Sequence, residues 1–222
     1  MERLRSTSEE LATPIGGTAS DCPTCGALMP EGFRFCGQCG RALANAFHPA
    51  TEGTLTFLFT DMVGSTVLTR ALGVDKARDL FRAHHELIRR EIQSFGGFEV
   101  KTLGDGFMVV FVSAAKAVQC AIGIQKGLVA YNQEHLEAPL SVRIGMNSGD
   151  ALREGEDFFG LAVSLAARIA KRAAGGQILV SERVKEAAGL APGYDYVLKG
   201  RFQLSGFPRR RPLYEVVWRG DE

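Results

Sequence analysis

The stretch Phe57-Leu58-Phe59-Thr60-Asp61-Met62-Val63-Gly64-Ser65-Thr66 opens as an apolar run and closes on a carboxylate, a glycine and two hydroxyls. A short apolar run bounded by a turn signal reads as a buried central strand, here over Thr54 to Thr60. The turn that follows leads into a helix that Ser65 or Thr66 can cap. Its backbone amides would face any anion lying at the helix start. A second acidic turn comes later, in Lys101-Thr102-Leu103-Gly104-Asp105-Gly106. Gly104-Asp105-Gly106 is a short-hairpin signal between strands expected at Phe98 to Leu103 and Phe107 to Val112. Alone, an aspartate after a strand is often a helix cap, and Gly-Asp-Gly is often only a turn. Together, if the two strands are neighbours, Asp61 and Asp105 present hard oxygen ligands to a cation carrying phosphates.

Around these turns the pattern alternates. A helix is expected from about Asp75 to Phe95, with Leu80, Phe81, Leu87, Ile88 and Ile92 at helical spacing and Gly96-Gly97 as its stop. Ala114 to His135 reads as helix and Leu140 to Gly149 as strand. A strand or loop leads to Gly160, a helix follows from Leu161 to Ala174, and Gly175-Gly176 ends it. Gln177 to Val180, Tyr194 to Leu198 and Leu213 to Trp218 read as further strands. Strands alternating with helices around a central hairpin predict an α+β sheet covered by helices.

The chain has 222 residues, 45% of them hydrophobic, which is enough for one full domain and an appendage. Its net charge of +1 gives no reason to expect nucleic acid or a membrane surface as partner. Glu2, Glu9 and Glu10 interrupt the first twenty residues, so no secretory leader is expected there. No run approaches spanning length, since even Leu161 to Ala170 is broken by Ser164 and Arg168. A cytoplasmic protein is the expectation.

Four of the five cysteines form two knuckles, Cys22-Pro-Thr-Cys25 and Cys36-Gly-Gln-Cys39, each followed by glycine. Two facing Cys-x-x-Cys turns give the tetrahedral thiolate set of a structural Zn2+, which would supply the folding energy of a segment too short for its own core. The redox alternative lacks a surrounding βαβ unit. Cys120 lies in an apolar helical stretch and reads as a small core residue. His84 and His85 read as surface residues of a polar-looking helix. The chain therefore divides into a flexible tail (1–20), a zinc ribbon (21–41), a linker (42–53) and a large domain (54–219).

The two acidic segments, in this order and at this separation, together with Asp157-Phe-Phe-Gly-Leu-Ala-Val-Ser-Leu-Ala-Ala-Arg168, resemble the catalytic domain of class III nucleotidyl cyclases, the adenylate and guanylate cyclase family. The resemblance covers about Thr54 to Trp218. It implies a ferredoxin-like βαβ sandwich, with Asp61 and Asp105 holding two Mg2+ or Mn2+ ions helped by the Met62 carbonyl. Gly64, Ser65 and Thr66 would hold phosphates, and Lys101 and Asp157 would read the purine. That pair suits ATP: lysine donates to adenine N1 and the carboxylate accepts from the 6-amino group, an order that guanine reverses. Arg168 matches the arginine that stabilises charge on the α-phosphate. The implied reaction converts ATP to 3′,5′-cyclic AMP and pyrophosphate at sites shared across a head-to-tail homodimer.

Two positions depart from the family pattern. Ser164 stands where asparagine usually orients the ribose, and losing such a contact lowers a rate on the order of 10²-fold. Ser205 stands where many cyclases carry a lysine for the terminal phosphates; Lys199, Arg201 or the run Arg209-Arg210-Arg211 would have to replace its charge. These departures point to low basal turnover. They also keep two alternatives open: a catalytically weak nucleotide-binding regulatory module that signals to a partner protein through the ribbon, and a cyclase of another nucleotide.

Overall fold

The computed structural model describes residues 20–21, 26–29, 53–190 and 193–219. It comprises two units, Met1–His48 and Pro49–Glu222. In the first, strand β1 (Ser20–Asp21) pairs antiparallel with β2 (Leu28–Met29), Asp21 opposite Leu28. The zinc ligands expected at Cys22, Cys25, Cys36 and Cys39 lie outside the described residues.

The second unit runs β3 (Leu55–Met62), α1 (Ser65–Leu72), α2 (Val74–Ser94), β4 (Phe98–Leu103), β5 (Gly106–Phe111), α3 (Ala114–Glu134), β6 (Val142–Gly149), β7 (Leu152–Glu154), β8 (Asp157–Phe159), α4 (Leu161–Arg172), β9 (Ile178–Ser181), α5 (Glu182–Ala188), β10 (Asp195–Phe202) and β11 (Arg211–Val217). Seven strands form one sheet in the order β10-β11-β9-β6-β3-β5-β4. All neighbours are antiparallel except β6 and β9. The stretch β6-β3-β5-β4, with α2 and α3 as crossovers, is the split βαβ of a ferredoxin-like fold. Strands β9, β11 and β10 extend it on one side.

Alternation along the strands assigns the two faces. Leu58, Phe107, Val109, Ile144, Met146 and Val180 join one core with Leu87, Ile88 and Ile92 of α2, Val118 and Ile124 of α3 and Val184 of α5. Leu179 and Leu213 point the other way and meet Leu165 and Ile169 of α4, together with Leu204 and Phe207. Helix α4 lies almost on the sheet there. A Cβ built on Gly145 would fall 2.0 Å from the Ala170 backbone nitrogen, so only glycine admits the helix. Phe57 extends this face toward the β7–β8 hairpin, its ring 5.8 Å from that of Phe158.

Several elements differ from the sequence reading. Neither Ser65 nor Thr66 caps α1: Gly64 occupies the cap position in a left-handed conformation, and no side chain accepts a bond there. Helix α5 was absent from the periodicity reading because it is too short to show a period, although Ser181 caps it from its own side chain and Gly189 follows it. His84 does not lie on the surface, and His85 is only partly exposed. His84 is 0% exposed and His85 packs edge-on against Phe107. Charged residues on the outer face of α2 mask an inner stripe in which a neutral imidazole replaces an aliphatic side chain. Cys120 is buried as expected. Among the described residues, no helix is long and apolar enough to cross a membrane.

Candidate active site

Strand β3 delivers Asp61 at its last turn before α1, and the β4–β5 hairpin delivers Asp105 beside it. The register explains the meeting: β3 and β5 are antiparallel neighbours with Phe59 opposite Met108, so the end of β3 adjoins the start of β5. The contact is tight, since a Cβ on Gly106 would lie 2.4 Å from the Thr60 carbonyl oxygen. Phe107 N–H also donates to Thr60 Oγ1 at 3.0 Å, tying the hairpin base to the strand. Asp105, Gly104, Ser65, Thr66, Thr69, Phe81 and His85 line an open cavity of about 440 Å³. The start of α1, with backbone amides that have no partner inside the helix, therefore lies on the same cavity as one of the two carboxylates.

Asp61 has a partner the sequence reading missed. Arg143 stands opposite it in the β3–β6 register and donates from Nε to Asp61 Oδ2 at 2.7 Å, with Nη2 closing on the same oxygen. Arg143 also reaches the Lys171 carbonyl of α4 at 3.4 Å. Its signal was an arginine inside the otherwise apolar run Val142-Arg143-Ile144-Gly145-Met146. A charge in a central strand needs a partner, and only the pairing of β3 with β6 names it.

The donor set suits a hard cation. Among the described residues no group of three or more His, Cys, Asp and Glu side chains could hold a metal. Two carboxylates on adjoining ends of β3 and the β4–β5 hairpin are hard oxygen donors of the kind magnesium takes, an ion that keeps waters and phosphate oxygens rather than a full protein cage. Asp61 Oδ2 is shared with Arg143, so cation binding at that oxygen has to compete with the guanidinium.

Lys101 and Asp157 form a second group. Lys101 Nζ donates to Asp157 Oδ2 at 2.5 Å, and Phe158 N–H donates to Asp157 Oδ1 at 2.8 Å. The lysine bond, assisted by that backbone bond, holds the Asp157 carboxyl below the usual carboxylate range. The Phe159 ring lies 5.7 Å from Lys101 Nζ. The short β7–β8 hairpin, which the sequence left as a strand or loop, is what carries Asp157 to Lys101.

Ser164 and Arg168 form a third group, one turn apart on the exposed side of α4. Leu165 and Ile169 of the same helix point into the core instead. Ser205 is exposed in the loop between β10 and β11. Of the charges that could replace a lysine there, Lys199 is paired with Glu215 at 2.8 Å, and Arg211 lies over the Phe207 ring at 5.7 Å.

Comparison with known proteins places this geometry. Residues 48–217 match the family model described as "Adenylate and Guanylate cyclase catalytic domain", and residues 22–43 match a zinc-ribbon domain. An adenylate cyclase of Podospora anserina is 35% identical over 157 residues, covering 60% of this chain and 7% of that protein. Receptor-type adenylate cyclase A of Leishmania donovani is 31% identical over 213 residues, covering 71% of this chain and 15% of that protein. The chain thus spans a small fraction of these relatives. The crystal structure of the adenylyl cyclase CyaB from P. aeruginosa superposes with a TM-score of 0.67 at 25% identity, covering 74% of this chain and 93% of that one.

Proposed function

Since this chain belongs to the adenylate and guanylate cyclase catalytic domain family, we propose that it converts ATP to 3′,5′-cyclic AMP and pyrophosphate. The observation that carries the choice of ATP is the Lys101–Asp157 pair. With one ammonium proton given to Asp157, Lys101 keeps two for adenine N1, and the carboxylate keeps lone pairs for the 6-amino group. Guanine would set a donor against the lysine and an acceptor against the carboxylate.

Asp61, Asp105 and the Met62 carbonyl hold Mg2+ or Mn2+. Two such ions, when bound, supply positive charge against the triphosphate and acidify the ribose hydroxyl. Gly64, Ser65 and Thr66 receive phosphate oxygens at the start of α1. As the 3′-oxygen gives up its proton to solvent and bonds to the α-phosphorus, the bond to the β-phosphate oxygen breaks and pyrophosphate leaves. Arg168 faces the charge that builds on the α-phosphate, and Ser164 orients the ribose. A cation at Asp61 would take the place of the Arg143 guanidinium on Oδ2, leaving Arg143 its bond to the Lys171 carbonyl. These residues work by positioning and electrostatics, and none forms a covalent intermediate.

The functional unit is a homodimer, in which Asp61 and Asp105 of one subunit face Lys101, Asp157, Ser164 and Arg168 of the other. Residues 54–219 form the catalytic domain. The N-terminal segment is a ribbon whose Zn2+ is held by Cys22, Cys25, Cys36 and Cys39, flanked by the tail and the linker, and it offers a surface to a regulatory partner. The setting is the cytoplasm.

The test is a product screen with ATP, GTP, CTP and UTP, using purified chain with Mn2+ or Mg2+. Cyclic AMP above an Asp105→Ala control is expected. A different cyclic nucleotide as main product would overturn the base assignment. Tight ATP binding without product would favour the alternative of a nucleotide-sensing module, to which Ser164 and Ser205 lend support.

A further inference from the structure

Lys101 faces Asp157 only because β4 is irregular. In an unbroken strand, residues two apart share a face. Glu99 and Lys101 do not. The register with β5 steps from Glu99 opposite Val109 to Lys101 opposite Met108, so two residues of β4 span one of β5. Val109 belongs to the core beneath α2 and α3. Glu99 accordingly points to α2, where it meets Arg89. Lys101 emerges on the opposite face, where β8 lies, and Thr102, opposite Phe107, returns to the α2 side. A bulge of this kind re-aims a side chain, but β4 ends the sheet and among the described residues has no second paired strand to hold the distortion.

What holds it comes from α2. Arg89 donates from Nε to Glu99 Oε2 and from Nη2 to Glu99 Oε1, both at 2.8 Å. Thr102 Oγ1 donates to Glu99 Oε1 at 2.8 Å, and Arg89 Nη2 reaches Thr102 Oγ1 at 3.3 Å. The guanidinium also lies over the Phe107 ring, 5.3 Å from its centroid. Glu99 and Thr102 flank the bulge and Lys101, so one fork ties both shoulders of the irregular segment to one helix. Burial alone would raise the Glu99 carboxyl, yet the Arg89 and Thr102 bonds outweigh it and hold the group below its usual range. A bidentate arginine is directional in a way that a loose surface ion pair is not.

We infer that Arg89, Glu99 and Thr102 are positioning residues that clamp the β4 bulge, point Lys101 at Asp157, and so set the preference of the site for adenine over guanine. The inference rests on the assignment of Lys101 and Asp157 to purine recognition. Removing the clamp lets Lys101 sample the α2 face, while Asp61 on β3 and Asp105 at the hairpin tip, whose base is tied to Thr60, stay in place.

The experiment compares wild type, Glu99→Ala, Lys101→Met, their double variant, and the charge swap Arg89→Glu with Glu99→Arg, all in the full chain. Steady-state rates with ATP and GTP are measured alongside melting temperature. Glu99→Ala should lower the ATP:GTP ratio of kcat/KM about tenfold, chiefly through KM for ATP. It should add little on top of Lys101→Met, and the swap should recover part of the ratio. Equal losses for both nucleotides, with the ratio unchanged, would mean that the network only stabilises the fold and would overturn the inference. If Lys101→Met itself leaves the ratio unchanged, the purine assignment fails, and the crystal structure of Glu99→Ala decides the clamp. Lys101 drawn away from Asp157 upholds it, and an intact pair overturns it. Glu99→Gln, read in the same ways, substitutes if the alanine variant does not fold.

Discussion

Ser164 presents a short hydroxyl on the exposed side of α4, one turn before Arg168. An asparagine there would reach further and offer both a donor and an acceptor. Ser164→Asn should raise kcat with ATP roughly ten- to a hundredfold. An unaltered kcat would show that the serine is no weak point. Asp105→Ala, by contrast, should lower cyclic AMP formation at least about 10³-fold, because the hairpin then offers no carboxylate to the cation. His84 gives a prediction about stability. Among the described residues both its ring nitrogens are buried without a hydrogen-bond partner, and burial, followed by the neighbouring His85, lowers its pKa to about 4. The unfolded chain takes up this proton near the ordinary histidine value of about 6.5, whereas the folded chain refuses it until about 4. Stability is therefore lost as pH falls through that window and does not change above it. Urea unfolding at pH 7 and pH 4.5 should show an acid loss in the wild type larger by roughly 2–3 kcal/mol than in His84→Leu.

Among the elements, α4 is held close against the sheet at Gly145. Its backbone lies on Gly145 so closely that any side chain there must push the helix off the sheet. Gly145→Ala should destabilise the domain by about 1–3 kcal/mol, read as a lower urea midpoint with unchanged slope. It should also lower kcat, because Ser164 and Arg168 ride on the displaced helix. The elements that carry the site were legible to different degrees. β3, α2, β5, α3 and β6 follow from apolar runs and helical spacing, and their ends fall within a few residues of expectation. The β7–β8 hairpin and α5 did not follow, since three-residue strands and a seven-residue helix are too short to show a period. The bulge at Val100 is invisible in principle: Glu99-Val100-Lys101 reads the same whether its ends share a face or not, and only the partner strand and Arg89 decide.

For the whole molecule, the proposed division of the site between two subunits would make two inactive variants complementary. Asp105→Ala spoils one half and Arg168→Ala the other, so mixed dimers should hold one intact site. Mixing the two inactive proteins should therefore restore a measurable part of wild-type activity, whereas a site complete within one chain would gain nothing. The proposed ribbon should release its Zn2+ to a chelator while the melting of the large domain persists. The sequence by itself determined the α+β class, the zinc-ribbon spacing and the carboxylate, lysine and arginine set, because short-range patterns and side-chain chemistry are written locally. Tertiary structure alone decided that Arg143 pairs with Asp61, that His84 is buried, and that a bulge in β4 puts Lys101 and Glu99 on opposite faces. Each of these depends on which strand or helix becomes a neighbour, and that choice is made by burial of the whole sheet rather than by the residues adjoining it in the chain.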